Sequence, residues 1–400
     1  MKIIFVNPNQ HSDYPKPPLG LLSLATVCRK AGYDASILDA NLLNLHPLQV
    51  ARELRDADVV GLSAMTPTYD EACAIARVID KEIPIVLGGV HASIFPKEAL
   101  ASDLFDWIVT GEGEAALLGL LQGKTYPSRI VNEPVDMTKL PLPDYSLLGT
   151  YKPRYPHGIS EPWTAASSSR GCPMKCRFCA KAVFGDRFRA FTCQQTCDLM
   201  AKLDLDGYKD VTFYDDEFTW DKQRVYAICD RLRKAHLSLT WTCESRVDLV
   251  NPELLSEMKS AGCRLIYYGI ESGNQDILNR LDKRITLERV KEAVKETQDV
   301  GIEAAGYFML GCPGETKETM QQTIDFAQSL QLDHAQFSAC TPLPGSLLYE
   351  EYIKTHDRPK WSDFRYRSNG TKVLFTSDRL SASDIEQAVE RGNTMFRENK

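Results

Sequence analysis

The chain alternates short apolar runs with segments of helical length, and it does so twice, on either side of a proline-rich break. That alternation restricts it to α/β folds with parallel sheets, because parallel neighbours must be joined by a crossover, usually a helix. Before the break, strands are predicted at Ile3–Val6, Ala35–Asp39, Val59–Ser63, Ile85–Leu87 and Trp107–Val109, with a weaker one at Ser128–Val131. Leu21–Lys30 and Tyr69–Ile79 typify the helices between them, and the region reads as a doubly wound (Rossmann-like) domain of about 130 residues. From Glu133 to Trp163 periodicity is lost and prolines recur at 134, 141, 143, 153, 156 and 162, the pattern of a surface linker. Beyond it, Thr164–Ser169, Asp210–Tyr214, Leu239–Cys243, Arg264–Ile270, Ala304–Leu310 and Ala335–Ala339 give six βα units. These predict a partial (β/α)6 barrel, with chemistry collected at the C-terminal strand ends. The tail from Gly345 carries Trp361, Phe364, Tyr366 and Phe375, then a helix starting near Ser383 with Glu386 as its capping-box partner. The expected domains are 1–132, a linker over 133–163, 164–345 and a short C-terminal extension over 346–400.

The net charge of −7 shows no basic footprint for nucleic acid. No apolar run is long enough to span a bilayer, and Met1–Val6 reads as a strand rather than a signal peptide. The expected location is cytoplasmic, where grouped cysteines signify metal or redox chemistry more often than disulfides. There are twelve cysteines, and three of them, Cys172, Cys176 and Cys179, stand at CxxxCxxC spacing directly after the first barrel strand. Three thiolates so spaced can hold three irons of a [4Fe-4S] cluster and leave the fourth open. The alternative is a zinc knuckle completed by Cys193, Cys197 or His157.

With Phe178 before its last cysteine, this string resembles the signature of the radical SAM superfamily, and the resemblance covers about Thr164 to Tyr349. It implies S-adenosylmethionine (SAM) on the open iron and reductive cleavage to a 5′-deoxyadenosyl radical. It implies SAM-binding roles for Phe178, Asp215, Asp216, Glu217, Arg246, Glu271, Ser272 and Gly311. Asp215, Asp216 and Glu217 would receive the amino group, Glu271 would lie by the ribose, and Arg246 could take the carboxylate through a bidentate contact. Asp216 or Glu217 could instead cap a helix, Arg246 could form a surface salt bridge, and Gly269, Gly273 and Gly311 could be turn glycines.

The strand ends of the first domain carry Pro17-Pro-Leu-Gly20, Ser63-Ala-Met-Thr-Pro67, Gly88-Gly89 and Gly111-Glu-Gly-Glu114. Open parallel sheets bind ligands there. In this order ahead of such a barrel, Met1 to Leu121 resembles the cobalamin-binding domain of class B radical SAM enzymes. The resemblance implies cobalamin contacts from Pro18, Leu19, Ser63, Met65, Thr66, Pro67, Gly88, Gly89, Val90, His91, Gly111, Glu112 and Gly113. The DxHxxG motif that supplies a cobalt-ligating His is absent, so tail-out cobalamin without a His ligand is expected; His11 reads as a surface residue, and Thr66, Tyr69 or Tyr14 could face the lower side.

The resemblance implies a methyltransferase that uses two SAM molecules to C-methylate an unactivated sp3 carbon, with methylcobalamin as donor and substrate held between the domains. A flavodoxin- or ferredoxin-type protein would supply single electrons; no nucleic-acid or membrane partner is expected. The compact frame is similar to that of the methanogen enzymes that C-methylate a glutamine of methyl-coenzyme M reductase, a post-translational modification. A small-molecule substrate is the alternative, as is a cobalamin-dependent cyclase, rearrangement or oxidation, or a corrinoid or electron carrier without catalysis. Tyr307, Gln336, Tyr268 and Arg264 are candidate substrate-side residues. Cys193 and Cys197 could form a redox pair but read better as buried apolar residues, like Cys28, Cys73, Cys229, Cys243, Cys263 and Cys312; Cys340 is expected at the active-site rim.

Overall fold

The computed structural model describes the chain except residues 13, 152–159, 365, 368–369, 372, 375, 377–378 and 399–400, and only the backbone of 366–367, 370–371 and 397–398. Pro153, Pro156, His157, Phe375 and the Tyr366 side chain therefore lie outside the described residues. Two compact units form: Met1–Arg154 with Lys181–Gly185 and Pro359–Arg365, and Tyr155–Ala180 with Asp186–Arg358 and Tyr366–Lys400.

The first unit runs β1 (Lys2–Asn7), α1 (Leu19–Lys30), β2 (Asp34–Asp39), α2 (Pro47–Glu53), β3 (Val59–Ser63), α3 (Tyr69–Val78), β4 (Ile85–Gly88), α4 (Val90–Ile94), α5 (Pro96–Ala101), β5 (Trp107–Val109), α6 (Glu114–Leu121) and β6 (Ile130–Val131). Its sheet is parallel in the order β2-β1-β3-β4-β5-β6, so the order in which strands are laid down reverses between β1 and β3. Ile3, Phe5, Val86 and Val109 pack against Leu21, Ala25 and Cys28 of α1 and Ala116 and Leu117 of α6. The proline-rich segment keeps to this unit up to Tyr151. Asp136 and Asp144 each cap a single 3-10 turn, the Asp144 amide donates to Thr26 Oγ1, and the buried Tyr151 hydroxyl donates to Asp39.

The second unit runs β7 (Trp163–Ala166), β8 (Ser169–Arg170), β9 (Arg189–Ala190), α7 (Cys193–Leu205), β10 (Asp210–Phe213), α8 (Lys222–Ala235), β11 (Thr240–Ser245), α9 (Pro252–Ser260), β12 (Cys263–Glu271), α10 (Gln275–Arg280), α11 (Leu287–Asp299), β13 (Glu303–Leu310), α12 (Lys317–Ser329), β14 (His334–Ala339), α13 (Leu347–Tyr352), β15 (Tyr366–Arg367), β16 (Gly370–Thr371) and α14 (Ala382–Glu398). Six parallel strands stand in the order β7-β10-β11-β12-β13-β14, an open half-barrel. Thr192, Asp221, Asn251, Asn274, Thr286 and Thr316 cap helices of the crossovers between these strands, fixing where each helix begins.

Two expectations are corrected. The first barrel strand ends at Ala166, because Ser168 and Ser169 bind Asp215 and leave the ladder. The residues after it form β8, which pairs antiparallel with β9 and brackets the cysteine loop. The cap of the last helix is Ser381 with Asp384, which exchange backbone and side-chain hydrogen bonds, rather than Ser383 with Glu386.

Strand β14 is an edge of the sheet, and α14 covers it. Asn393 donates to the Phe337 carbonyl and accepts from its amide, replacing a missing strand neighbour. Gly392 lies against the Phe337 ring, so a Cβ there would approach ring carbons to 2.7 Å. Gly392→Ala should therefore destabilise the protein by ~1–3 kcal/mol, although Ala is the better helix former by ~1 kcal/mol; denaturant midpoints would measure this.

Candidate functional site

In the first unit the ends of β3, β4 and β5 are stitched into one lip. Ser63 pairs in register with Gly88, and the Ala64 amide donates to the Gly88 carbonyl. Gly89 has φ 93°, and a Cβ on it would lie 2.8 Å from the Ala64 carbonyl oxygen and 2.9 Å from Ser63 Oγ. Ser93 Oγ donates to the Gly89 carbonyl and accepts from the Gly111 amide, so the second and third loops are joined. Gly113 sits 3.0 Å, at its missing Cβ, from Leu24 of α1. The missing side chains of Gly89 and Gly111 let these loops close on one another's polar groups, at the carboxyl ends of the strands where open parallel sheets bind ligands.

The other residues assigned here divide sharply. Pro18, Leu19, Pro67 and Val90 are half-buried, while Met65 is exposed and Thr66 and Glu112 are buried. Met65 is held ahead of a 3-10 turn by Thr68 Oγ1. The His91 amide donates to the Ala64 carbonyl at the lip, but its side chain is turned inward. It is fully buried, stacked on Tyr69 at 3.8 Å between ring centres and flanked by Phe95 and Trp361, because one helical turn carries its side chain into the aromatic core. Tyr69 is buried with it, whereas Tyr14 and His11 are exposed.

In the second unit the cysteine loop is strapped at three places. The amide of Gly171, at φ 84°, donates to Asp216 Oδ2 at 2.6 Å. Arg177 donates its amide to Leu281 and accepts from the Leu348 amide. Phe178 packs among Ile277, Leu281, Leu348, Cys312 and Cys340. No disulfide involves any cysteine. Among the described residues no three His, Cys, Asp or Glu side chains could hold a lone metal ion, so the zinc-knuckle arrangement is not formed among them. Three thiols on an anchored loop fit a cubane, whose thiolates sit on separate irons.

Charged side chains from three successive strand ends and one loop surround Cys176. Arg246 follows β11, and its Nη1 lies 3.8 Å from Cys176 Sγ. Its Nε and Nη2 bind both oxygens of Asp248, and Nη2 also donates to the Lys283 carbonyl, so that edge of the fork is engaged within the protein. Glu271, at φ 70°, pairs with Lys283 at 2.9 Å, and the ammonium lies 5.8 Å from the Phe178 ring centre. Burial opposes the Lys283 charge, but Glu271 and Cys176 outweigh it and hold its pKa above the ordinary value. A Cβ at Gly269 would come within 2.7 Å of Glu271 and 2.8 Å of Lys283, so this glycine makes room for the pair. Glu217 is buried and accepts from Thr219, and burial lifts its pKa to about 7.

Several residues predicted for this site have partners within the protein. Both oxygens of Asp215 accept from Ser168 and Ser169. Ser272 is buried against Thr323, and Gly311 makes room for Ile385 of α14. Tyr268 is buried, with its hydroxyl on Thr297 of α11. Arg264 pairs with Asp210 at 2.5 Å, both at the start of their strands; seven residues of extended chain put its backbone roughly 20 Å from Glu271. Tyr307 stacks on Tyr267 and reaches Glu244, and Gln336 is its half-buried neighbour in register. Cys340 is buried beside Phe178 rather than open at a rim. Cys193 and Cys197 point to the carbonyls of Arg224 and Ile228, not to each other. Lys283 was not legible as a site residue. Its one signal is a lysine with apolar neighbours at 281 and 285, and it acquires meaning only beside Glu271.

Residues 166–327 match the radical SAM superfamily, and residues 9–121 match the B12 binding domain. An uncharacterised methyltransferase of Pyrococcus horikoshii is 33% identical over 387 positions, covering 88% of this chain and 83% of that protein. The anaerobic magnesium-protoporphyrin IX monomethyl ester cyclase of Rubrivivax gelatinosus is 29% identical, over 100% of this chain and 78% of its own length. The structure of the radical SAM methyltransferase TsrM from Kitasatospora setae, with tryptophan and a SAM analogue, matches with a TM-score of 0.76 at 18% identity, covering 98% of this chain and 89% of that one. That likeness establishes the shared fold. The chain belongs to the cobalamin-dependent radical SAM methyltransferases. Its cofactors are accordingly a [4Fe-4S] cluster, SAM and cobalamin. No helix among the described residues is long and apolar enough to cross a membrane.

Two outcomes follow for these sites. Gly89→Ala forces a side chain onto backbone in a conformation costing ~1–3 kcal/mol, so cobalamin affinity should fall roughly tenfold per 1.4 kcal/mol, read as absorbance retained after gel filtration. Glu315, buried in the turn after β13 and accepting from the Cys312 amide, also has its pKa raised by burial to about 7 from 4.5. The folded protein keeps this proton longer than the unfolded chain, so its stabilisation is full below 4.5 and lost as pH rises through 7. Glu315→Gln should remove that loss, up to ~3 kcal/mol between about pH 5 and about pH 8, seen by comparing urea midpoints.

Proposed function

We propose that the protein C-methylates an unactivated sp3 carbon, consuming two SAM molecules per turnover. The observation that carries this reading is the strapped three-cysteine loop with Glu217, Glu271 and Lys283 buried beside it, in a chain that also builds a glycine lip for a B12 cofactor. When bound, the cofactors supply a hydrogen-abstracting radical and a methyl donor that needs no lone pair on its acceptor. The chain's own residues position and exclude. Cys172, Cys176 and Cys179 would hold the cluster. Glu217 offers a buried carboxyl to the SAM ammonium, which would favour its ionised form, and Glu271 and Lys283 form a fixed ion pair for the remaining polar groups.

Ser63, Gly88, Gly89 and Gly111 would receive the cobalamin tail along their backbone. Single electrons would come from a flavodoxin- or ferredoxin-type protein. The substrate we propose is a protein side chain, with a glutamine of methyl-coenzyme M reductase the specific candidate. Comparing host proteins and metabolites with and without the gene, by mass spectrometry, should reveal one added methylene on one species. With that species as substrate, S-adenosylhomocysteine and 5′-deoxyadenosine should form in near-equal amounts. Deoxyadenosine alone would overturn the reading.

A further inference from the structure

We propose that Arg246 is a positioning residue that sets the cluster's reduction potential through Cys176. The inference rests on the reading of Cys172, Cys176 and Cys179 as cluster ligands. A guanidinium is planar, so holding one edge fixes where the other points. Asp248 takes Nε at 2.9 Å and Nη2 at 3.0 Å, and the Lys283 carbonyl takes Nη2 again at 2.8 Å. Nη1, on the remaining edge, is directed at Cys176 Sγ at 3.8 Å. The Arg246 side chain is 6% exposed, so solvent does little to screen it. None of these acceptors lies on the cysteine loop itself: Asp248 follows β11, and Lys283 stands in the segment after α10.

Adding an electron to a cluster adds negative charge on its irons and sulfurs. A fixed cationic donor on a ligating sulfur stabilises that state more than the oxidised one, which raises the potential. Asp248 opposes this, because it places a negative charge on the guanidinium's far edge. The two residues should therefore act with opposite sign. Lys283 also acts on Cys176, but its ammonium is paired with Glu271 at 2.9 Å and lies over the Phe178 ring, so its contribution is common to every Arg246 and Asp248 variant.

The test is an EPR-monitored redox titration of the reconstituted holoenzyme, with iron content measured on every sample. Arg246→Gln removes the charge with little change in shape. At a fixed solution potential its ratio of reduced to oxidised cluster should fall about tenfold, equivalent to about 59 mV for one electron. Arg246→Lys, which keeps the charge but loses the fork, should recover part of that loss. Asp248→Asn should move the ratio upward. Full iron content with an unchanged potential in Arg246→Gln overturns the proposal, as does a shift of the same sign in Arg246→Gln and Asp248→Asn. If Arg246→Gln fails to fold or to take up iron, Asp248→Asn decides, with a rise supporting the proposal and no change overturning it. The ligand reading is checked separately by Cys176→Ala, which should lose iron; retained iron overturns the ligand assignment rather than the electrostatic argument.

Discussion

The carboxylates of Asp215 and Asp216, adjacent at the end of β10, hold the second unit's chemistry in place. Asp215 accepts from the Ser168 amide and from the hydroxyls of Ser168 and Ser169 at 2.6 to 2.7 Å, and Asp216 accepts from the Gly171 amide at 2.6 Å. Charge-assisted bonds of this length are about twice as strong as neutral ones. They bend the chain out of β7 and deliver it, at Gly171, to the first cysteine. The β8–β9 pairing closes the base of the loop and Phe178 anchors its far side. An aromatic one place before the last cysteine thus has a mechanical function here, because its ring fills the apolar space left by α10, α13 and the ends of β13 and β14.

That anchoring allows charge to be buried around Cys176. Arg246 and Lys283 each carry their own carboxylate, Asp248 and Glu271, so neither is an unpaired ion in a dry site. Glu217 has no such direct pair. Lys283 and Arg246 lower its pKa, but burial prevails. The result is a site with fixed positive donors and one buried carboxyl whose pKa is raised to about 7.

Much of this frame was legible because parallel strands buried on both faces are continuous apolar runs, such as Ile3 to Val6, and need no tertiary information. The cysteine spacing was legible for the same reason, since a loop motif is local. Residue roles were not. Asp215 and Glu217 stand two places apart in one string, yet one ties down a loop and the other is buried near the ion pairs. Arg264 and Tyr268 lie on the same strand as Glu271, but one is at the wrong end and the other faces α11. His91 follows Gly88-Gly89 by two residues and is turned away by a helix that begins between them. In each case the deciding fact is a direction, which depends on partners distant in the chain.

The glycines show what both units share. Gly89 and Gly269 each occupy a strand end where a single Cβ would strike groups that the site needs: the Ala64 carbonyl and Ser63 in one case, Glu271 and Lys283 in the other. A glycine in a strand or at its end ordinarily weakens the sheet. Here the cost is offset because the loops on either side can approach until their polar groups meet. Gly306 and Gly311 lack a side chain for a different reason, making room for Leu332, Phe308 and Ile270 and for Ile385. Glycine at a strand end therefore does not by itself mark a ligand. The distinction lies in what its missing Cβ would touch: polar groups at a lip, or apolar side chains in a core.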